Sequence, residues 1–270
     1  FMKKCNDSRQ RKNPIGRLAA FLAAMAVLTG CGAEKPDGAA QEEETELKAE
    51  PAAEVQSGGF AGESARDAQI DFAALQAENP DIFAWLYIPD TAIDCPVLQS
   101  GQADDFYESH DAYGEADEDG AVYIELANLT NMCDFNTVLH GRTGAEEKGP
   151  FADLYRFADA DFFREHEKAY LYLDGNVLTY EIFAAYEREN TSLLRSYDFT
   201  YVEGCEQFLK DLYATREMTM NLREGWEGVT PYHFLITLTT QKEENADRQF
   251  VVVAIMTEDA AGTIDRIVAE

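Results

Sequence analysis

The stretch FLITLTTQKEENADRQFVVVAIM, Phe234 to Met256, reads as two strands joined by a charged loop. In its first half Leu235, Thr237 and Thr239 alternate with Ile236, Leu238 and Thr240, a two-residue period that predicts a half-buried strand. The second half, Phe250 to Ile255, is a nearly unbroken apolar run rich in β-branched residues, which predicts a strand buried on both faces. Gln241 ends the first strand and Arg248 starts the next. Strand ends beside a cleft commonly hold the chemistry of barrel enzymes. A glutamine there is a puzzle, because a primary amide neither attacks a carbonyl nor moves a proton.

Working outward, DFAALQAENP has an N-cap in Asp71 and a stop at Pro80, and so predicts a short helix. WLYIPDTAIDCPVLQ predicts two short strands about the Pro89-Asp90 turn. GAVYIEL and FNTVLHG are further strands, separated by the polar loop Asn128 to Asp134. Phe151 to His166 reads as one or two short helices, and KAYLYLDGNVLTYEIFAAYE as a hairpin turning at Asp174-Gly175-Asn176. VEGCEQFLKDLYATRE spaces Cys205, Phe208, Leu209 and Leu212 along one helix face. Many short strands, few helices and no βαβ alternation predict a mainly β fold, a barrel with peripheral helices spanning 67–262.

The first 66 residues are of a different kind. Lys3, Lys4, Arg9, Arg11, Lys12 and Arg17 form a basic head before the apolar run LAAFLAAMAVL. That run is too short to span a bilayer and fits a signal-peptide core over residues 1–30. LTGC, Leu28 to Cys31, resembles the lipobox of bacterial lipoproteins, which implies lipidation of Cys31 and an anchor made of acyl chains. Residues 31–66 are rich in Ala, Gly, Glu, Pro and Ser and predict a disordered acidic tether. A short tail, 263–270, closes the sequence. The expected location is the extracellular face of the cytoplasmic membrane, with the protein held there by lipid.

Residues 1–30 hold 6 of the 22 basic and 1 of the 51 acidic residues, so the remainder carries 16 against 50, a formal net charge of −34. Such an excess argues against nucleic acid as a partner and against adhesion to anionic lipid. Cys95, Cys133 and Cys205 are an odd set without metal-type spacing, and the four histidines are scattered. No metal and no cofactor is expected. Cys95, in AIDCPVL, is expected to be a small buried residue.

Six fragments, in unbroken order from Asp71 to Met256, together resemble the class B sortases, the cysteine transpeptidases of Gram-positive bacterial surfaces. They are NPDIFAWLYIPDTAIDCPVLQ, DDFYESHDAYG, GAVYIE, NTVLHGRTG, FADLYRFADADFFREH and ITLTTQ with DRQFVVVA. The resemblance implies an eight-stranded sortase barrel, with the helix near Glu203–Thr215 as the insertion typical of class B. It also implies three catalytic groups: a cysteine that forms a thioacyl intermediate, a histidine that exchanges protons, and an arginine that steadies the oxyanion. The family's arginine matches Arg248 in DRQFVVVA. Its cysteine position, at the end of a Leu-Ser/Thr-Thr-Cys strand, is held here by Gln241 in LTTQ. Its histidine position, after the glycine of an Asn-Thr strand, is held by Arg142 in NTVLHGR. A guanidinium stays protonated and cannot shuttle protons, so two of the three groups are replaced by residues that cannot do their work.

Two classes of function follow. The first is a pseudo-sortase that keeps the groove and binds a sorting-signal-like peptide, a cell-wall component or an active sortase, as a monomer. The second is a working transpeptidase or peptidase built on relocated groups: His140 two residues before Arg142, Thr239 or Thr240 as a hydroxyl, or Cys133 from its loop. For each of these the plainer reading is structural. Arg142 and Arg248, expected to flank Gln241, either receive an anion between them or are neutralised by Glu243, Glu244 or Asp247.

Overall fold

The computed structural model describes residues 70–144, 148–218, 220–242 and 245–265. The signal peptide, Cys31, the tether, Glu243, Glu244 and most of the C-terminal tail lie outside these residues. Helix α1 (Phe72–Glu78) starts where Asp71 Oδ1 accepts a hydrogen bond from the Ala74 N–H at 2.9 Å. Strands β1 (Ile82–Tyr87) and β2 (Asp94–Leu98) pair antiparallel about Pro89-Asp90, where Asp90 takes the left-handed φ of 59° that a short polar side chain tolerates. After a long acidic loop come β3 (Val122–Ile124) and β4 (Asn136–His140). A 3₁₀ turn at Ala152–Ala158 and helix α2 (Ala160–Glu165) precede the hairpin of β5 (Lys168–Leu173) and β6 (Asn176–Glu189). Helices α3 (Leu193–Ser196) and α4 (Val202–Ala214), the two-residue β7 (Asn221–Leu222), β8 (Leu235–Thr240) and β9 (Arg248–Asp259) complete it.

The sheet order is β5-β1-β2-β3-β4-β8-β9-β6-β7, and β5 also pairs with β6, so eight strands close into a barrel with β7 on its rim. Closure needs one strand to serve two neighbours along its length. Strand β6 does this with 14 residues, pairing with β5 through its first half and with β9 throughout, with register shifts at Thr179/Tyr180 and Ile182/Ala184. Inside the barrel pack Val97, Leu139, Leu171, Ile182, Ile236, Leu238, Phe250, Val252 and Ala254. The opposite face of β9, Val251, Val253 and Ile255, packs under α4 through Cys205, Phe208, Leu209 and Leu212. Each large apolar side chain buried this way contributes about 1.5–3 kcal/mol.

Strand β9 is therefore buried on both faces, as its composition predicts. Strand β8 departs from its pattern, for all six of its residues are buried rather than alternate ones. It lies between β4 and β9, and its threonines stay buried by bonding sideways: Thr237 Oγ1 donates to Asn136 Oδ1 at 2.9 Å and Thr239 Oγ1 to Gln249 Oε1 at 2.6 Å. Cys95 is partly buried against the barrel core, where burial and then Asp94 push its thiol up to about 12.

Candidate functional site

Strands β4 and β8 run parallel, Asn136 beside Leu235 through to His140 beside Thr239, so both end at the same mouth of the barrel. Gly141 and Arg142 continue from one strand and Gln241 from the other. Gly141 is required there. A Cβ on it would lie 2.6 Å from the ring of Phe151, which is fully buried in the core. Around this mouth is a cavity of about 230 Å³ lined by Glu108, Tyr123, His140, Arg142, Thr239 and Gln241, with Asn190 and Gln249 at its edge.

The side chains in it are tied down. Asn190 Nδ2 donates to Gln241 Oε1 and to the Ala246 carbonyl, which turns the Gln241 amide so that its nitrogen is left to donate. Gln249, having accepted from Thr239, donates to the carbonyls of Glu189 (3.1 Å) and Thr191 (2.9 Å). Thr240 Oγ1 and Thr143 Oγ1 lie 2.9 Å apart. His140 stacks on Tyr123 with centroids 5.1 Å apart, and its Nε2 is 3.2 Å from Glu125 Oε1. The close approach of His140 holds the Glu125 carboxyl below its ordinary range despite the opposing effect of burial. Burial, reinforced by Glu108, raises the Tyr123 hydroxyl well above the usual phenol range.

Arg142, His140 and Gln241 thus share one cavity, but Arg248 is not among the residues that line it. Alternation along β9 puts Gln249 on the same side of the sheet as Val251, which pairs with Thr239, and turns Arg248 to the other side. Arg248 Nη2 lies 3.0 Å from Glu217 Oε1, and Arg142 Nη1 lies 4.0 Å from Glu108 Oε1. Each guanidinium has a carboxylate beside it from a segment remote in sequence, and Glu243 and Glu244 lie outside the described residues. Cys133 is separated as well. It precedes β4 whereas His140 ends it, a strand length of about 13 Å, and Cys133 lines a different cavity. Cys205 is buried under α4. Among the described residues no cysteine lines the Gln241 cavity, and no group of three or more His, Cys, Asp or Glu is placed to hold a metal ion. Sequence reasoning missed Glu108, Glu125, Asn190 and Gln249. Only Gln249 carried a local signal, its odd-even position relative to Phe250.

The arrangement offers amide and guanidinium donors, a histidine–carboxylate pair and hydroxyls already engaged with neighbours. It can orient a carbonyl or a carboxylate. No family model matches the chain. Sortase B of Listeria monocytogenes is 29% identical over 185 residues, covering 68% of this chain and 73% of that protein. Sortase B of Staphylococcus aureus is 25% identical over 187 residues, with the same coverage. The structure of Clostridium perfringens sortase B superposes with a TM-score of 0.62 at 27% identity, covering 70% of this chain and all of that one. The structure of a Staphylococcus aureus sortase B–substrate complex, at 23% identity, shares the fold with a TM-score of 0.60 over 69% of this chain and 84% of that one. With the closed eight-stranded barrel, these likenesses make the described region a class B sortase-like domain.

Proposed function

We propose that this domain binds an extended peptide at the Gln241 mouth and does not cleave it, a pseudo-sortase held at the outer face of the membrane through Cys31. The observation that carries this reading is Gln241 itself. It stands where β8 meets the cavity, its amide oxygen is engaged by Asn190, and no described cysteine lines that cavity. The Gln241 amide nitrogen and the Arg142 guanidinium supply donors for a peptide carbonyl or an acidic side chain. That a sortase B of the same fold has been captured with its substrate supports a peptide as the ligand class.

A working enzyme with relocated groups is the competing reading, because the His140–Glu125 pair stands in the same cavity as Thr239 and Thr240. Both hydroxyls, however, are engaged with Gln249 and Thr143, and an unactivated hydroxyl is a poor nucleophile. Titrating sorting-signal-like peptides calorimetrically, with mass spectrometry of the same mixtures, separates the two. Binding with intact peptide supports the proposal. Peptide cleavage, or covalent capture of an electrophilic peptide on Cys133 or a threonine, refutes it.

A further inference from the structure

A second cavity, of about 630 Å³, lies beyond the N-terminal end of β4, between the β3–β4 loop and the α3–α4 connection. It is larger than the Gln241 cavity and has a different character. One wall is aromatic. Tyr197 and Phe199 stack at 5.8 Å, and both rings meet Phe208 edge-on, at 5.4 and 5.5 Å. The lining also carries Asp134, Asp198 and Asp265 against a single cation among the described residues, Arg195. Arg195 also borders a smaller hollow with Asp104, Asp105 and Glu125, whose charges face it from that side. Asp198 uses Oδ1 to accept from the Thr200 N–H, and Asp134 uses Oδ2 for Asn128 and Leu129, which leaves one oxygen of each carboxylate without a donor among the described residues. The three carboxylates do not converge as metal ligands would.

Carboxylates and aromatic side chains lining one cavity suit an organic cation, which gains from the rings as well as from the charges. Exposed Leu129 on the rim offers an apolar contact for an alkyl stem or a neighbouring backbone. We propose that this cavity is a second ligand site, taking a lysine or arginine side chain presented by a basic segment of a partner polypeptide. The acidic balance of the whole chain favours the approach of such a partner. The site goes beyond peptide binding at Gln241 and does not depend on it.

The test is a titration of the full chain, followed through the amide resonances of Leu129, Tyr197 and Phe199. Three probes are used: the peptide acetyl-Ala-Lys-Ala-amide, the same peptide with norleucine for lysine, and 1,5-diaminopentane. The lysine peptide should give saturable shifts that weaken with salt, and the norleucine peptide none. Asp198→Asn with Asp265→Asn keeps the Thr200 hydrogen bond available and should weaken the lysine peptide at least tenfold. Tyr197→Leu should weaken it as well, and Arg142→Ala should leave it unchanged. Equal affinity in the double aspartate variant, or binding of the diamine alone, overturns the proposal. Binding that appears only after residues 266–270 are removed also overturns it, since the chain's own Arg266 would then be the occupant.

Discussion

His140, at the end of β4, points its Nε2 at Glu125, the residue that follows β3, at a distance of 3.2 Å. The pair joins two neighbouring strands at the cavity wall and fixes one edge of the imidazole. Because the contact with His140 lowers the Glu125 carboxyl below its ordinary value of 4.5, the folded state holds the ionised form more firmly than the unfolded chain does. The stability it contributes is present above that ordinary value and is lost as pH falls through the lower folded value.

The first prediction follows from that sign. Urea unfolding of wild type and Glu125→Gln should differ at neutral pH, with wild type more stable, and the difference should shrink on acidification below about pH 4.5. A gap that widens in acid would mean that His140 does not hold the carboxylate.

Arg142 and Arg248 provide the second. Arg142 lines the cavity and stands 4.0 Å from Glu108. Arg248 is paired at 3.0 Å with Glu217 and lies off the cavity lining. Arg142→Ala should therefore weaken an acidic sorting-signal-like peptide about 10-fold, in the range of one charge-assisted hydrogen bond, and should flatten the salt dependence of binding. Arg248→Ala should leave both nearly unchanged. Calorimetric titrations at two salt concentrations measure this directly.

The third concerns the glycine between His140 and Arg142. A methyl group on Gly141 would sit within 3 Å of the Phe151 ring, which is fully buried. Gly141→Ala should cost about 1–3 kcal/mol by overpacking and should shift Arg142 enough to lower peptide affinity. Thermal unfolding and the peptide titration together report both effects. Unchanged stability would show that Phe151 can yield.

How far the sequence could be read depends on the range of each interaction. The alternation in Leu235–Thr240 and the apolar run at Phe250–Ile255 are local, and they announce strands that the barrel indeed contains. The complete burial of β8 was not legible, since it arises from β4 on one side and β9 on the other, with Asn136 and Gln249 supplying partners from distant positions. Glu108, at the end of a 3₁₀ turn, and Glu217, in a loop, reach their arginines from segments whose placement no local pattern encodes. The site is legible at Gln241 and Arg142, which follow directly from strand ends. At the start of β9, pattern matching favours Arg248, yet only the pairing of Thr239 with Val251 shows that Gln249 shares the cavity's side.

The fourth prediction tests the anchor. If Cys31 is lipidated, the protein should fractionate with membranes and Cys31→Ala should release it, with the uncleaved signal peptide checked by mass spectrometry. Acyl chains contribute about 0.8 kcal/mol per buried methylene group, and two chains suffice for stable attachment. Equal membrane retention of the variant, with its signal peptide removed, would assign the anchor elsewhere.

The last prediction asks whether chemistry can be put back. The sequence resemblance implies a cysteine, a histidine and an arginine acting together, with Gln241, Arg142 and a residue of early β9 as the positions to restore. Gln241→Cys alone should give a thiol that an electrophilic peptide labels, because position 241 lines the cavity, but no turnover, since the His140 imidazole that shares the cavity is turned to Glu125. Adding Arg142→His supplies a titratable group on the adjacent strand end. Turnover then depends on which β9 residue faces the developing oxyanion. The strand pairing names Gln249, so Gln241→Cys/Arg142→His should remain inactive with Arg248 as the sole β9 arginine, and adding Gln249→Arg should raise peptide cleavage at least 100-fold, the usual effect of an oxyanion donor. Losing the Thr239 and Glu189 bonds of Gln249 will lower stability, so melting temperature is followed in parallel. Full activity in the double variant would place Arg248 at the cavity after all and would show that β9 shifts by one residue when ligand binds.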